Sequence, residues 1–181
     1  MHVDIIKIIP IFEKNLYSFS YNDDAETVFH KLIKKWTDPD KLSKIAASKN
    51  MSFEEADIFR KTILRDVKSL TRLIKKCLTN DKLNEFFVPY HNNTQKNVEY
   101  QESKGKFKSD VTNKTSKLRI YALRINNNEF IITGGTIKLT KATQGETYSQ
   151  KQVDRMNSLR RFLKENGYDP EDIIYHLNCD L

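Results

Sequence analysis

Cationic side chains supply most of the chemistry that this chain can offer. Lys104, Lys106 and Lys108 alternate with Gly105 and Phe107, and a basic run with an interleaved aromatic can hold a nucleic-acid strand, ammonium groups on phosphates and the ring on a base. The same charges would also suit a solvated loop. A second basic stretch, Lys117–Thr140, reads KLRIYALRINNNEFIITGGTIKLT. Here strand-like runs meet at the turn residues Asn126, Asn127 and Asn128, which predicts a hairpin pairing 117–125 with 129–140. Gly134-Gly135 marks a bulge or bend in its second strand, or a place where another backbone comes close.

Other chemistries find little support. The four histidines (His2, His30, His91, His176) lack the spacing of helical metal ligands, and Cys77 and Cys179 lie far apart. No structural metal or cofactor is expected, and the thiols read as reduced. No acidic cluster at a strand end would organise two divalent ions, and the P-loop, dinucleotide and nucleophile-elbow motifs are missing from the sequence. Thirty-one Lys and Arg against 24 Asp and Glu give a net charge of +7. That balance favours a polyanion or an acidic protein over an acidic small molecule.

The elements that must position these groups follow from periodicity. The 181 residues, 38% apolar, suffice for one globular unit. Val3–Ile9 reads as a strand that Pro10 stops. Residues 24–36 carry Val28, Phe29, Leu32, Ile33 and Trp36 at helical spacing, with Asp23 or Asp24 as cap and Lys34 and Lys35 near the C-terminus. Asp38-Pro39 opens a short second helix. Ser52 and Glu55 form a capping-box signature for a basic amphipathic helix over 52–78, whose apolar stripe includes Ile58, Phe59, Ile63, Val67, Leu70, Leu73 and Ile74. A further strand fits near 85–90. Residues 91–116 are polar enough to predict a long loop. A helix over 149–166 has Val153, Met156, Leu159, Phe162 and Leu163 as its stripe and Gly167 as its stop, with a helical turn at 170–177. The expected class is α+β: a small antiparallel sheet packed on N-terminal helices, closed by the last helix. The apolar N-terminus is too short, and too charged at Asp4 and Lys7, to export or anchor the chain. A cytoplasmic location is expected.

The order of elements, the Arg-bearing strand Lys117-Leu118-Arg119-Ile120-Tyr121, the Gly134-Gly135 strand and its exit Lys138-Leu139-Thr140-Lys141-Ala142-Thr143-Gln144 resemble the RelE/ParE-like superfamily of bacterial toxins, which includes the HigB-like ribosome-dependent endoribonucleases. The helix from Ser149, with Arg155, Arg160 and Arg161, resembles their terminal helix. Direct resemblance covers the last third of the chain. It implies a metal-independent cleavage of mRNA in which the RNA's own 2′-hydroxyl is the nucleophile and cations stabilise charge on the pentavalent phosphorus.

Under that resemblance Arg119 clamps the scissile phosphate bidentately, as lysine cannot, and Lys138 stabilises it. Tyr148 aids proton transfer or stacks on a base, with neighbouring cations offsetting its high pKa. His91, which titrates near neutrality, is the alternative proton carrier. Lys104, Lys106, Lys108, Lys117 and Lys141 bind RNA. The implied partners are mRNA, the ribosome and a cognate antitoxin with an acidic covering segment and a helix-turn-helix DNA-binding part. Two other readings stay open: a ParE-like gyrase inhibitor, and a non-catalytic nucleic-acid-binding accessory protein of a mobile element that uses the helix 52–78 and the loop 91–116.

Overall fold

A computed structural model describes residues 5–21, 24–90, 100–139 and 146–166. In chain order the elements are β1 (Ile5–Ile11), β2 (Glu13–Tyr21), α1 (Val28–Thr37), α2 (Pro39–Ser48), α3 (Phe53–Thr79), α4 (Leu83–Phe86), β3 (Phe87–Pro89), β4 (Glu102–Gly105), β5 (Leu118–Asn126), β6 (Glu129–Ile137) and α5 (Glu146–Glu165). The class is α+β. The six strands form one sheet in the order β1-β2-β6-β5-β4-β3.

The β5–β6 hairpin forms as its sequence predicts, from Leu118 opposite Ile137 to Asn126 opposite Glu129. Asn128 turns the chain at φ 58°, a left-handed conformation that asparagine tolerates. Its side chain accepts from Asn84 N at 3.0 Å and donates to Asp81, while Asn84 Nδ2 donates to Asn127 Oδ1 at 2.9 Å. The turn is therefore tied to the corner between α3 and α4. At the other end Ala122 faces Ile132 but Tyr121 faces Gly134, so Thr133 is the extra residue of a bulge.

The sheet is larger than expected and it is not wholly antiparallel. β2, which periodicity did not assign, lies between β1 and β6 and runs parallel to β6, Leu16 to Ser18 against Phe130 to Ile132. Its segment EKNLYSFSY alternates polar and apolar residues only loosely, because Leu16 faces one core and Tyr17 and Phe19 the other. β1 runs through Pro10 to Ile11; on an edge strand the missing N–H of Pro10 costs no ladder bond. Residues 87–89 supply the strand expected near 85–90, after the short α4.

The loop expected over 91–116 is also corrected. Residues 91–99 lie outside the described residues, but 102–105 form β4, and Phe107, Ser109 and Ser116 are buried against α3. Buried Asp66 accepts from Ser116 Oγ at 2.7 Å, and Ser69 and Arg72 both donate to Asp110. Polar residues read as loop here because their partners are on another element, about 40 residues away.

Helix α1 starts at Val28 with Thr27, rather than Asp23 or Asp24, as its cap: Thr27 Oγ1 accepts from His30 N at 3.3 Å. Asp24 instead pairs with Lys31. The capping box of α3 is present, Ser52 N to Glu55 Oε2 at 2.8 Å and Glu55 N to Ser52 Oγ at 3.2 Å. Of its expected stripe, Phe59, Ile63, Val67, Leu70 and Ile74 are buried, Leu73 is partly buried, and Ile58 is 65% exposed. Helices α1 to α4 cover one face of the sheet in a core around Trp36, Leu42, Ile63, Leu70, Ile120 and Phe130. α5 covers the other, with Leu159 and Leu163 against Tyr17, Leu123 and Ile131. Val153, by its side chain, and residues 167–181 lie outside the described set.

One pH effect arises in this packing. Hydrogen bonds from Arg72 and Ser69 hold the Asp110 carboxyl well below the usual carboxylate range. The group is ionised in the fold at pH values where the unfolded chain would protonate it. Its stabilisation is thus complete above about pH 4 and is lost as pH falls below that. Acid titrations followed by circular dichroism should show Asp110→Asn less stable than wild type at pH 7, with the two curves converging toward pH 2. A gap that stays constant with pH would refute the assignment.

Candidate functional site

Two parallel strands at the sheet centre send the chain to opposite faces. β2 leads into α1 on one side and β6 leads toward α5 on the other. Neighbouring parallel strands whose continuations part in this way leave a crevice beyond their carboxyl ends. Here it has a volume of about 610 Å³, within the range of roughly 300–1,000 Å³ of ligand pockets. Leu32, Trp36, Ile45, Ile137 and Leu139 give it an apolar floor, and Lys31, Lys35, Lys41, Lys44, Lys49 and Arg155 surround that floor. Among the described residues no carboxylate or histidine lines it.

Local sequence builds both walls. Lys31 and Lys35 are four residues apart on α1, Lys41 and Lys44 three apart on α2, so each pair shares one helix face. Ser18 fixes α1 to the sheet: its Oγ accepts from Phe29 N at 3.1 Å and donates to the Ile132 carbonyl at 3.3 Å. The two glycines of β6 set how close the layers come. A Cβ on Gly135 would lie 2.7 Å from Leu32 and 2.8 Å from Trp36, and one on Gly134 would strike Gln152 and lie 3.3 Å from Arg155 Nη1. Gly135 therefore admits α1 and Gly134 admits α5. The bulge expected at this pair is present, one residue earlier, and the close approach is made by the protein's own helices.

The charges on the walls are unevenly compensated. Lys31 pairs with Asp24, and Lys41 lies 3.7 Å from Asp38. Lys44 and Lys49 make no ion pair among the described residues. Elsewhere some cations are paired, Lys61 with Asp57 at 2.7 Å, Arg72 with Asp110 at 2.8 Å and Arg160 with Glu102 at 2.9 Å, and others, such as Lys106 and Lys108, are exposed without an ion pair among the described residues. Tyr21 stands at the end of β2; burial raises its phenol pKa and Arg155 partly opposes that rise. It is a neutral hydroxyl at pH 7, suited to donate a hydrogen bond.

Of the candidate site residues singled out from the sequence, none that the structure describes lines this crevice. Arg119 lies on β5 opposite Thr136, which lines it. The guanidinium is half-buried, and Nη1 donates to the carbonyls of Ser116 and Leu118 at 2.6 and 2.7 Å; burial lowers its pKa. Lys138 is exposed between Ile137 and Leu139, both lining residues, and its N–H donates to the Lys117 carbonyl at 2.7 Å. Lys117 Nζ lies 6.0 Å from the Phe59 ring of α3. Lys104 donates to the Tyr90 carbonyl at 3.2 Å and sits 5.5 Å over that ring.

Lys106 and Lys108 are exposed, but Phe107 between them is buried, so no free ring is left there to stack on a base. This corrects the basic-aromatic pattern read from the sequence. His91 and Lys141 lie outside the described residues, as does the side chain of Tyr148 on α5. The two lysine pairs, Tyr21, Gln152 and the crevice position of Arg155 were missed; the i, i+4 and i, i+3 lysine spacing was the signal available for the first.

No known family, characterised protein or solved structure matches this chain. Among the described residues no helix is long and apolar enough to cross a membrane, and no three His, Cys, Asp or Glu side chains are grouped to hold a metal ion.

Proposed function

We propose that the protein binds a phosphodiester strand in the crevice and acts as a RelE-like toxin, a metal-independent, ribosome-dependent endoribonuclease. The observation that carries this reading is a ligand-sized crevice with six cationic and, among the described residues, no anionic lining residues. Such a wall neutralises a backbone that carries one charge per nucleotide and gains affinity by counterion release. The cleavage needs no side-chain nucleophile, because the RNA 2′-hydroxyl attacks the adjacent phosphorus. The protein holds the phosphate in line and stabilises the charge that gathers on its oxygens. Arg155 and Lys138 supply cations at the β6 end, and Tyr21 supplies a neutral donor. An acidic segment of an antitoxin would compete for the same wall.

A second reading, a nucleic-acid-binding accessory protein without catalysis, is favoured by one observation: Arg119 already spends Nη1 on two backbone carbonyls. Induced expression in a bacterial host separates them. Wild type should arrest growth and generate new in-frame message 5′ ends, and an Arg119→Ala/Lys138→Ala double variant of comparable melting temperature should do neither. Arrest without message cleavage would point to a gyrase-type inhibitor. If soluble wild type causes no arrest yet binds RNA, the accessory reading stands.

A further inference from the structure

The crevice has two kinds of surface in a regular order. Three times on its helical walls an exposed lysine precedes an apolar lining residue: Lys31 and Leu32, Lys35 and Trp36, Lys44 and Ile45. Helix neighbours point about 100° apart, so each pair sets its ammonium at the rim and its hydrocarbon toward the floor. Ile45, Ile137 and Leu139 are only partly buried, and the apolar surface that they keep faces the cavity. Phosphates belong at the rim, because an anion pressed onto hydrocarbon loses its hydration without gaining a partner. A backbone lying across the rim would leave the floor untouched. The floor therefore calls for an apolar group carried beside a phosphate, and in a nucleic acid that group is the base. A duplex keeps its bases paired and stacked, and extruding one carries an unstacking penalty. A single strand offers them freely.

We propose that the crevice takes up one unstacked base of a single strand, seated on Ile45, Ile137 and Leu139, while the lysines of α1 and α2 hold the flanking phosphates. This rests on the crevice holding a phosphodiester strand, and the phosphate contacts and the base contact are separable. Lys44 and Lys49 act on any strand with the same backbone charge. The floor acts only on a strand that carries bases. The arrangement gives the protein a preference for single strands over duplexes, although the duplex brings more charge to the same cations.

Binding is measured by fluorescence anisotropy with a labelled oligouridylate, a strand of the same length with every base removed, and the oligouridylate paired to oligoadenylate. All carry 2′-O-methyl sugars, which keep the phosphates and remove the hydroxyl that could attack them. Wild type should bind the uridylate about tenfold more tightly than the abasic strand, the effect of burying an apolar group of side-chain size, and more tightly than the duplex. Ile45→Ser should lose most of that preference by weakening the uridylate alone, its unchanged affinity for the abasic strand showing that the fold is intact. The abasic comparison needs no variant and holds even if Ile45→Ser fails to fold. Equal binding of uridylate and abasic strand by wild type, with Lys44→Glu/Lys49→Glu weakening both, would overturn the base seat and leave the crevice as a phosphate site. Tighter binding of the duplex, or a preference for bases that a folded Ile45→Ser retains in full, would overturn the seat as well. Failure of every strand to bind, or indifference to the lysine changes, would overturn the crevice reading and this inference with it.

Discussion

Reversing two charges, Lys44→Glu with Lys49→Glu, should weaken single-stranded RNA binding on the order of 100-fold, as two charge-assisted phosphate contacts become repulsions. The salt dependence carries the sharper signature. Each lost contact should flatten the slope of log K against log salt by about 0.7 for a single strand, or about 1.4 for the pair. Neither lysine makes an ion pair among the described residues and both are exposed. Thermal stability should therefore move little, by roughly 0.3–1 kcal/mol for anions placed near the C-terminus of α2. Trp36, the chain's single tryptophan, lies in the crevice floor. Its emission should change when wild type takes up RNA and should stay constant in the variant at the same concentrations. An unchanged affinity or slope would remove the α1–α2 wall from the site.

The second large effect is on the fold itself. Trp36 is 1% exposed, fills the space over Gly135 and joins α1 to the sheet. Trp36→Ala should cost about 3–5 kcal/mol in urea unfolding followed by circular dichroism, the usual loss for truncating a buried large aromatic. That is a large part of the roughly 5–15 kcal/mol that holds a typical domain together. It should also deepen the crevice and leave α1 less well positioned, so RNA affinity should fall even at temperatures where the variant is folded. A loss below about 1 kcal/mol, within the range of surface substitutions and small adjustments, would mean that α1 is held mainly by other contacts, such as Ser18 to Phe29.

Local signals gave the local structure. The hairpin, the capping box of α3, the Asp38-Pro39 start of α2 and the Met156, Leu159 and Leu163 positions of the α5 stripe are each specified by residues within a few positions of one another, and each is present. β2 and β4 were not legible for the same reason in reverse. Ser18 and Ser103 are buried strand residues whose polarity hides the pattern until their hydrogen-bond partners are known. Arg119 and Lys138 stand beside the crevice without lining it, next to Thr136, Ile137 and Leu139, because a strand end and its exit are sequence-local features. Lys44 on α2 with Lys49 at its C-cap, Tyr21 on β2 and Arg155 on α5 come from three separate segments and meet only through the parallel β2–β6 pair, which no short-range pattern announces.

That pair has a consequence for when the site exists. Ser18 bonds to Ile132 across 114 residues, and such long-range pairings form late, because the chain between them must first be closed into a loop. During synthesis the N-terminal strands and helices emerge well before β6 and α5, and domains generally fold as their sequence becomes available. A nascent chain thus carries its lysines without a crevice to hold them, and the site comes into being only once Arg155 has been made.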